Sequence, residues 1–238
     1  MRIIAVLTAS LPLCLLAACS DDTATADPPE ETPECIVMTD DDADPDQIEG
    51  AAGCYTFTAR GTAKPALAEL TLPAGYGNFG HFALWPTDVS QSEDTPFRAV
   101  QYWTVHGVDP DPCNSTGAAP QIGPSVEDLA EALDNQKHSD ATEPVPVTLD
   151  GHEGVYLELS VHVGRDPGTC SGGYYFEWEG SPGDAQHTVG ADGTVERIWI
   201  VDVDGVRVVL VAIAHPGVTP AEFDELSAIV ESVRFVEA

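Results

Sequence analysis

Residues 195–214 read VERIWIVDVDGVRVVLVAIA, two apolar runs separated by Asp204-Gly205. An Asp-Gly pair between two such runs is typical of a two-residue β-hairpin turn, because both central positions of that turn favour positive φ. Apolar residues occupy every other position of the runs, and they also occupy many positions between. This density predicts a central antiparallel hairpin that is covered on both faces.

Shorter extended segments surround this hairpin in the sequence. A second hairpin is predicted at residues 145–161, where Asp150-Gly151 separates two extended runs. Further strands are predicted at residues 55–60, 67–72, 79–85 and 97–105. Most of the predicted strands therefore pair in an antiparallel manner.

Two helices are predicted from capping boxes. Ser125 is followed three residues later by Asp128, and Thr219 is followed by Glu222. Apolar residues recur at helical spacing behind each box, and residues 233–236 return as a strand. The elements together predict an α+β fold, an antiparallel β-sheet covered by two or more helices.

The chain is strongly acidic, with 40 Asp+Glu against 9 Lys+Arg and a formal net charge of −31. Binding to nucleic acid depends on clusters of Lys and Arg that neutralise phosphates, so no nucleic-acid partner is expected. Residues 54–238 alone carry 28 acidic and 8 basic residues. That excess favours a cationic partner or a saline habitat, and the sequence leaves both open.

The N-terminus has the pattern of an export signal. Met1-Arg2 is followed by a largely apolar stretch at residues 3–18, whose ~24 Å as a helix is shorter than the roughly 30 Å core of a bilayer. A cleaved signal peptide at residues 1–18 is therefore predicted. The segment Leu16-Ala17-Ala18-Cys19 resembles the lipobox of bacterial lipoproteins. That resemblance implies lipidation of Cys19 and anchoring at the extracytoplasmic face of the cell membrane; an ordinary secretory signal is the alternative.

A tract poor in large apolar residues follows Cys19. Residues 20–53 contain twelve Asp or Glu and no Lys or Arg, a composition that predicts a disordered acidic linker at residues 19–53. Residues 40–46 alternate acids like the start of an EF-hand loop, but Pro45 stands where glycine is required. A calcium-dependent acidic module is therefore kept only as an alternative. One folded domain is predicted at residues 54–238.

Four cysteines remain beyond the signal and the anchor, and they are Cys35, Cys54, Cys113 and Cys170. An even number in an exported chain predicts two disulfides, for which three pairings exist. The pairing Cys35–Cys54 with Cys113–Cys170 is favoured, because the first bridge would fix the end of the linker to the domain. Four free thiols are the alternative.

The C-terminal order of elements also has a family resemblance. Strand, Asp-Gly turn, strand, helix and then residues 231–235, ESVRF, are similar to PsbP-like domains, including the LpqN-type actinobacterial lipoproteins. Residues 70–76, LTLPAGY, resemble the first strand and turn of that family, with Tyr76 in place of the usual Trp. The middle of the chain, residues 88–181, departs from the family. The resemblance implies an accessory or binding module without catalysis.

The chain carries no complete catalytic motif. Ser171 lies in a Ser-Gly-Gly segment, but the residue before it is Cys170 rather than the Asp of chymotrypsin-like proteases. No two of the seven histidines are spaced four residues apart, so no metal site and no cofactor are predicted. We therefore expect a protein that is not an enzyme, with an envelope-directed hydrolase as the alternative.

Aromatic residues near position 175 are the candidate ligand-binding residues. Tyr175 or Trp178, if exposed, would stack against a sugar ring, whereas core packing is the competing interpretation. The expected function is that of a lipid-anchored extracytoplasmic binding or accessory protein of the cell envelope. Its expected contacts are the membrane, through Cys19, and a cationic protein or a small-molecule ligand.

Overall fold

The fold is described by a computed structural model over residues 34–38, 50–61, 66–91, 95–182 and 186–237. The strands of these residues are β1 Ile36–Val37, β2 Gly53–Thr58, β3 Leu67–Leu72, β4 Tyr76–Phe79, β5 Ala83–Pro86, β6 Arg98–Trp103, β7 Gly107–Val108, β8 Ser139–Ala141, β9 Val145–Leu149, β10 His152–Val161, β11 Tyr175–Glu179, β12 Gln186–Val189, β13 Val195–Val203, β14 Val206–Ala214 and β15 Arg234–Val236. The α-helices are α1 Thr87–Gln91, α2 Val126–Asp134 and α3 Pro220–Glu231.

The predicted central hairpin is confirmed as β13 and β14. The two strands pair from Val195 opposite Ala214 to Val203 opposite Val206, and they lie in the middle of an eight-stranded sheet. The order of that sheet is β4-β5-β6-β14-β13-β10-β8, with β9 also paired to β10. Asp204 and Gly205 both have positive φ, as the two-residue turn requires.

Both faces of this large sheet are covered, and β13 supplies side chains to each in turn. Trp199 and Val201 pack in a core with α3 and with the four-stranded sheet β1-β2-β3-β15. Ile198 and Ile200 pack in a second core with α2 and with Trp178 of the three-stranded sheet β12-β11-β7. Successive side chains of β13 therefore lie in two different cores, one on each face of the sheet.

The predicted α+β, PsbP-like fold class is wrong, because the structure is β-rich. The described residues form three sheets, and their three helices are only 5, 9 and 12 residues long. Strands of two to six residues in the first third of the chain build most of a second sheet over one face, and β7, β11 and β12 cover part of the other. The sequence predicts strands at the positions of β2 and β3, but periodicity is weak over strands as short as β1 and β7, so it does not show that sheets cover both faces.

The strand predicted at residues 79–85 is two strands in the structure. β4 and β5 form a hairpin, and Gly80 adopts positive φ in the turn between them. A glycine inside an apolar run thus marks a reversal of the chain. The short segment of residues 34–38, within the predicted linker range, adds the parallel edge strand β1 to β2.

Both capping boxes and both disulfides are confirmed. Ser125 and Asp128 exchange hydrogen bonds at the start of α2, and Thr219 and Glu222 do so at the start of α3. The disulfides are Cys35–Cys54 and Cys113–Cys170, the pairing favoured from the sequence.

Several predictions concern residues outside the described ranges. They are the signal peptide at residues 1–18, the lipidated Cys19 and the acidic run at residues 40–46. Among the residues that the structure describes, no helix is both long and apolar enough to cross a bilayer.

Candidate functional site

A groove of about 480 Å³ lies between α3 and strands β9, β10 and β13. Its floor is aromatic, because Tyr156 and Trp199 pack with ring centroids 5.1 Å apart. Val145, half exposed, lies at its edge. The complete lining is Val145, Pro146, Val147, Tyr156, Glu158, Arg197, Trp199, Asp224, Ser227, Ala228 and Glu231. An apolar floor with a few polar groups is typical of a small-molecule site.

The polar side of the groove is organised around Arg197. Its Nε donates to Glu158 Oε1 at 3.2 Å, and its Nη1 donates to Asp224 Oδ1 at 2.8 Å. Tyr156 donates its hydroxyl to the same Glu158 Oε1 at 2.6 Å, so this carboxylate fixes both the ring and the guanidinium. With Glu231 the lining holds three acids and one base, which makes the groove favourable for a positive charge.

Burial raises the pKa of Tyr156 above its ordinary value, and the hydrogen bond to Glu158 raises it further. The Tyr156 hydroxyl is therefore a donor throughout the physiological pH range. A ligand in the groove meets a neutral aromatic floor beside a carboxylate wall.

A second polar cluster is enclosed between the eight-stranded and three-stranded sheets. Glu177 of β11, His187 of β12 and Glu196 of β13 are each no more than 2% exposed. His187 Nε2 lies 2.9 Å from Glu196 Oε1 and 3.2 Å from Glu177 Oε2. One donor atom from each residue lies within 4.8 Å of the other two. The His187 nitrogen and the two carboxylates are thus a donor set that could hold a metal ion.

The pairing of β11 is irregular at Glu177. The pairing of β11 with β12 passes from Phe176 opposite Thr188 to Trp178 opposite His187, so Glu177 has no residue opposite it. A bulge of this kind breaks the alternation of a strand. All five residues of β11 are buried, so Glu177 is enclosed together with its neighbour Trp178.

Two tryptophans enclose the imidazole of His187. The Trp178 ring stacks on it with centroids 4.0 Å apart, and the Trp103 ring meets it edge-on at 5.8 Å. These rings exclude solvent from the polar atoms between them. The charges of the cluster therefore interact in a medium of low dielectric constant.

Burial and mutual charge shift the protonation of this cluster. Burial raises the pKa of Glu177 well above its usual range, and the neighbouring charge of Glu196 raises it further. Burial lowers the pKa of His187, but the charge of Glu196 and the hydrogen bonds to both carboxylates outweigh it, so the net shift is upward. If only protons balance the charges of the cluster, these shifts favour a neutral Glu177 beside a charged His187.

The structure places the candidate residues from sequence in different surroundings. Tyr175 and Trp178 are both 0% exposed, so neither ring has a face at the surface on which a sugar could stack. Tyr175 donates its hydroxyl to the Lys137 carbonyl at 2.8 Å, which is a structural contact. Ser171 lies in an exposed 3-10 turn next to the Cys113–Cys170 bridge.

Sequence reasoning missed Glu177, His187 and Glu196 as a group. One signal was present in the central hairpin, where Glu196 shares a face with Ile198 and Ile200. An acid on an otherwise apolar face requires a partner. Its partners lie on two other strands, and no local pattern in the sequence reveals them.

No protein-family model matches the chain, and no curated protein matches it in sequence. The resemblance to bacterial lipoproteins therefore stays a prediction, as does the sequence resemblance to PsbP-like domains, although the α+β fold class expected from it is wrong. The groove and the buried cluster are the features of the described residues on which a function can be based.

Proposed function

We propose that the protein is a lipid-anchored, extracytoplasmic binding or accessory protein of the cell envelope, and that its groove binds an amphipathic cation. The segment Leu16-Ala17-Ala18-Cys19 supports the anchor. The two disulfides support an oxidising compartment, because such bonds persist outside the reducing cytosol.

The observation that carries the ligand proposal is the composition of the groove. The Tyr156 and Trp199 rings offer an apolar floor, and Glu231 lies at the rim with the Arg197–Asp224 pair. Arg197 is already held by two acids, so the acidic excess faces an incoming group. An apolar chain or ring with an attached positive charge matches both parts.

Calorimetric titration with dodecyltrimethylammonium, below its micelle-forming concentration, tests the groove. We expect dodecyltrimethylammonium to bind to the wild type. Dodecyl sulfate, which has the same alkyl chain and the opposite charge, should not bind. Glu231→Gln should weaken binding by about twofold to fivefold, the range for one exposed charge pair. Asp134→Asn, an exposed change on α2 at the opposite face of the large sheet, should leave it unchanged. The proposal would be refuted if the wild type bound both detergents equally, or if Glu231→Gln and Asp134→Asn bound dodecyltrimethylammonium equally.

Labelling with radioactive palmitate tests the anchor separately. The wild type should incorporate label, and Cys19→Ala should lose it, because the lipid is expected on that sulfur. Cys14→Ala is the matched control and should retain the label, since Cys14 lies in the part of the signal that is removed. Equal labelling of Cys19→Ala and the wild type would contradict lipidation at Cys19.

A further inference from the structure

We infer that Glu177, His187 and Glu196 form a structural site for a divalent transition-metal ion of the zinc class. The inference goes beyond the proposed function, because the cluster and the groove lie on opposite faces of the eight-stranded sheet.

The first argument is the orientation of the His187 ring. Trp103 Nε1 lies 2.7 Å from the side-chain amide of Gln101, and an indole nitrogen can only donate, so the Gln101 atom that it contacts is the oxygen. His187 Nδ1 lies 3.1 Å from this same oxygen and must also donate to it. A neutral imidazole held in this way directs its Nε2 lone pair at the two carboxylates. Histidines that bind metals are usually fixed by such a donated bond from the other nitrogen.

The second argument is the number of carboxylate oxygens without a hydrogen-bond partner. Within the described residues, Glu177 Oε1 and Glu196 Oε2 are buried and have no hydrogen-bond partner, and the contact of Glu177 Oε2 with His187 Nε2 is 3.2 Å long. Buried carboxylates are costly unless they are paired or bind a metal. A divalent ion would balance both negative charges, and the unpartnered oxygens are available to complete its coordination.

The third argument is distance. Zinc ligands lie at about 2.0–2.2 Å from the ion, so two neighbouring ligands at about 90–110° are about 2.8–3.5 Å apart. The separations of Nε2 from the two carboxylates, 2.9 and 3.2 Å, fall in this range. Imidazole with carboxylate selects zinc or another first-row ion over calcium and magnesium, which prefer oxygen ligands throughout.

Trp103 and Trp178 enclose the site, so the ion would have a structural role. It would join β11 and β12 of the smaller sheet to β13 of the larger one. Because His187 is only 2% exposed, we expect the ion to enter during folding and to exchange slowly afterwards.

The test uses the mature chain without an affinity tag, unfolded in denaturant with a chelator and refolded with Zn²⁺ or with chelator alone. Elemental analysis after dialysis should find one zinc per wild-type chain. The melting temperature should be about 5–10 °C higher in the zinc sample at a free concentration of 100 Kd. Refolding with Co²⁺ should give the visible absorption of an ion in a nitrogen and oxygen site.

Glu177→Gln keeps the shape of the side chain and removes its charge, so it should lose the bound zinc and the zinc-dependent rise in melting temperature. Glu131→Gln, an exposed change on α2, is the matched control and should keep both. If Glu177→Gln fails to refold, the stoichiometry and the Co²⁺ spectrum of the wild type decide. The inference would be overturned if the wild type bound no metal, or if Glu177→Gln and Glu131→Gln bound equal amounts of zinc. The cluster would then be a network of hydrogen bonds.

Discussion

Arg207 connects the central hairpin to the segment that precedes α2. Its guanidinium donates to the backbone carbonyls of Val105 at 2.7 Å, Gly123 at 2.6 Å and Ser125 at 2.7 Å. Burial lowers the pKa of Arg207 from its ordinary value, yet a guanidinium stays charged at neutral pH. A single side chain therefore joins the carbonyl of Val105 to the carbonyls of Gly123 and Ser125.

Arg207→Met should destabilise the protein by about 2–4 kcal/mol, because it removes three charged hydrogen bonds, including the one to the carbonyl of the buried Val105. Arg207→Lys should recover only part of the loss, since one ammonium group cannot span three acceptors in the same geometry. Urea unfolding at neutral pH measures both. Arg234→Met, at an exposed position, is the control with a change below about 0.5 kcal/mol. A wild-type midpoint for Arg207→Met would contradict the role given to this residue.

At the scale of the element, the two capping boxes determine where the main helices begin. Ser125 Oγ accepts from the Asp128 amide at 3.1 Å, and Thr219 Oγ1 accepts from the Glu222 amide at 3.3 Å. The carboxylates bond back to the amides of Ser125 and Thr219 at 2.9 and 2.8 Å. Each box thus satisfies two backbone donors that a helix start leaves free.

Ser125→Ala and Thr219→Ala should each reduce the free energy of unfolding by about 1 kcal/mol, the usual loss for an N-cap. Thr116→Ala, at an exposed position outside any helix, should change it little. Denaturant unfolding of the three variants under identical conditions gives the comparison. Equal stability of the cap variants and Thr116→Ala would show that packing alone sets the helix starts.

The capping carboxylate of α3 also makes stability depend on pH. Hydrogen bonds from the backbone and hydroxyl of Thr219 hold the pKa of Glu222 below its ordinary value. Its contribution is therefore fully present above the unfolded pKa, near 4.3, and is lost as the pH falls through the lower folded value. Wild type and Glu222→Gln should differ in urea midpoint at pH 7 and converge near pH 2. A constant difference across this range would exclude the carboxylate as its source.

At the scale of the whole molecule, the two disulfides close loops of very different length. The bridged cysteines are 19 residues apart for Cys35–Cys54 and 57 apart for Cys113–Cys170. Loop-closure entropy predicts a loss of about 3 kcal/mol when the first is removed and about 4 kcal/mol when the second is removed. Paired Cys→Ser variants, each the control for the other, should show this order in denaturant unfolding. A larger loss for Cys35–Cys54 would contradict the entropic account.

The sequence predicted those features that depend on neighbouring residues. Asp204-Gly205 specifies its turn through positive φ, and Ser125 with Asp128 specifies a helix start within four residues. The fold class was wrong because it depends on strands such as β7, which has only two residues and carries almost no period of its own.

The candidate sites were harder to predict for a related reason. Glu177 lies in a strand whose five residues are all buried, and its neighbours His187 and Glu196 come from two other strands. The groove likewise combines residues of a hairpin with those of the last long helix. In both sites the side chains come from separate elements, so the periodicity of any one element does not show that they meet.

The adjacent residues Glu196 and Arg197 of β13 face opposite sides of the large sheet, one in the buried cluster and the other in the groove. Because side chains of a strand alternate with a period of two, a one-residue slip of β13 would exchange them. The guanidinium would then enter a space enclosed by tryptophans, and the carboxylate would meet Asp224. Insertions and deletions in this strand therefore damage both sites together, whereas substitutions can alter either one alone.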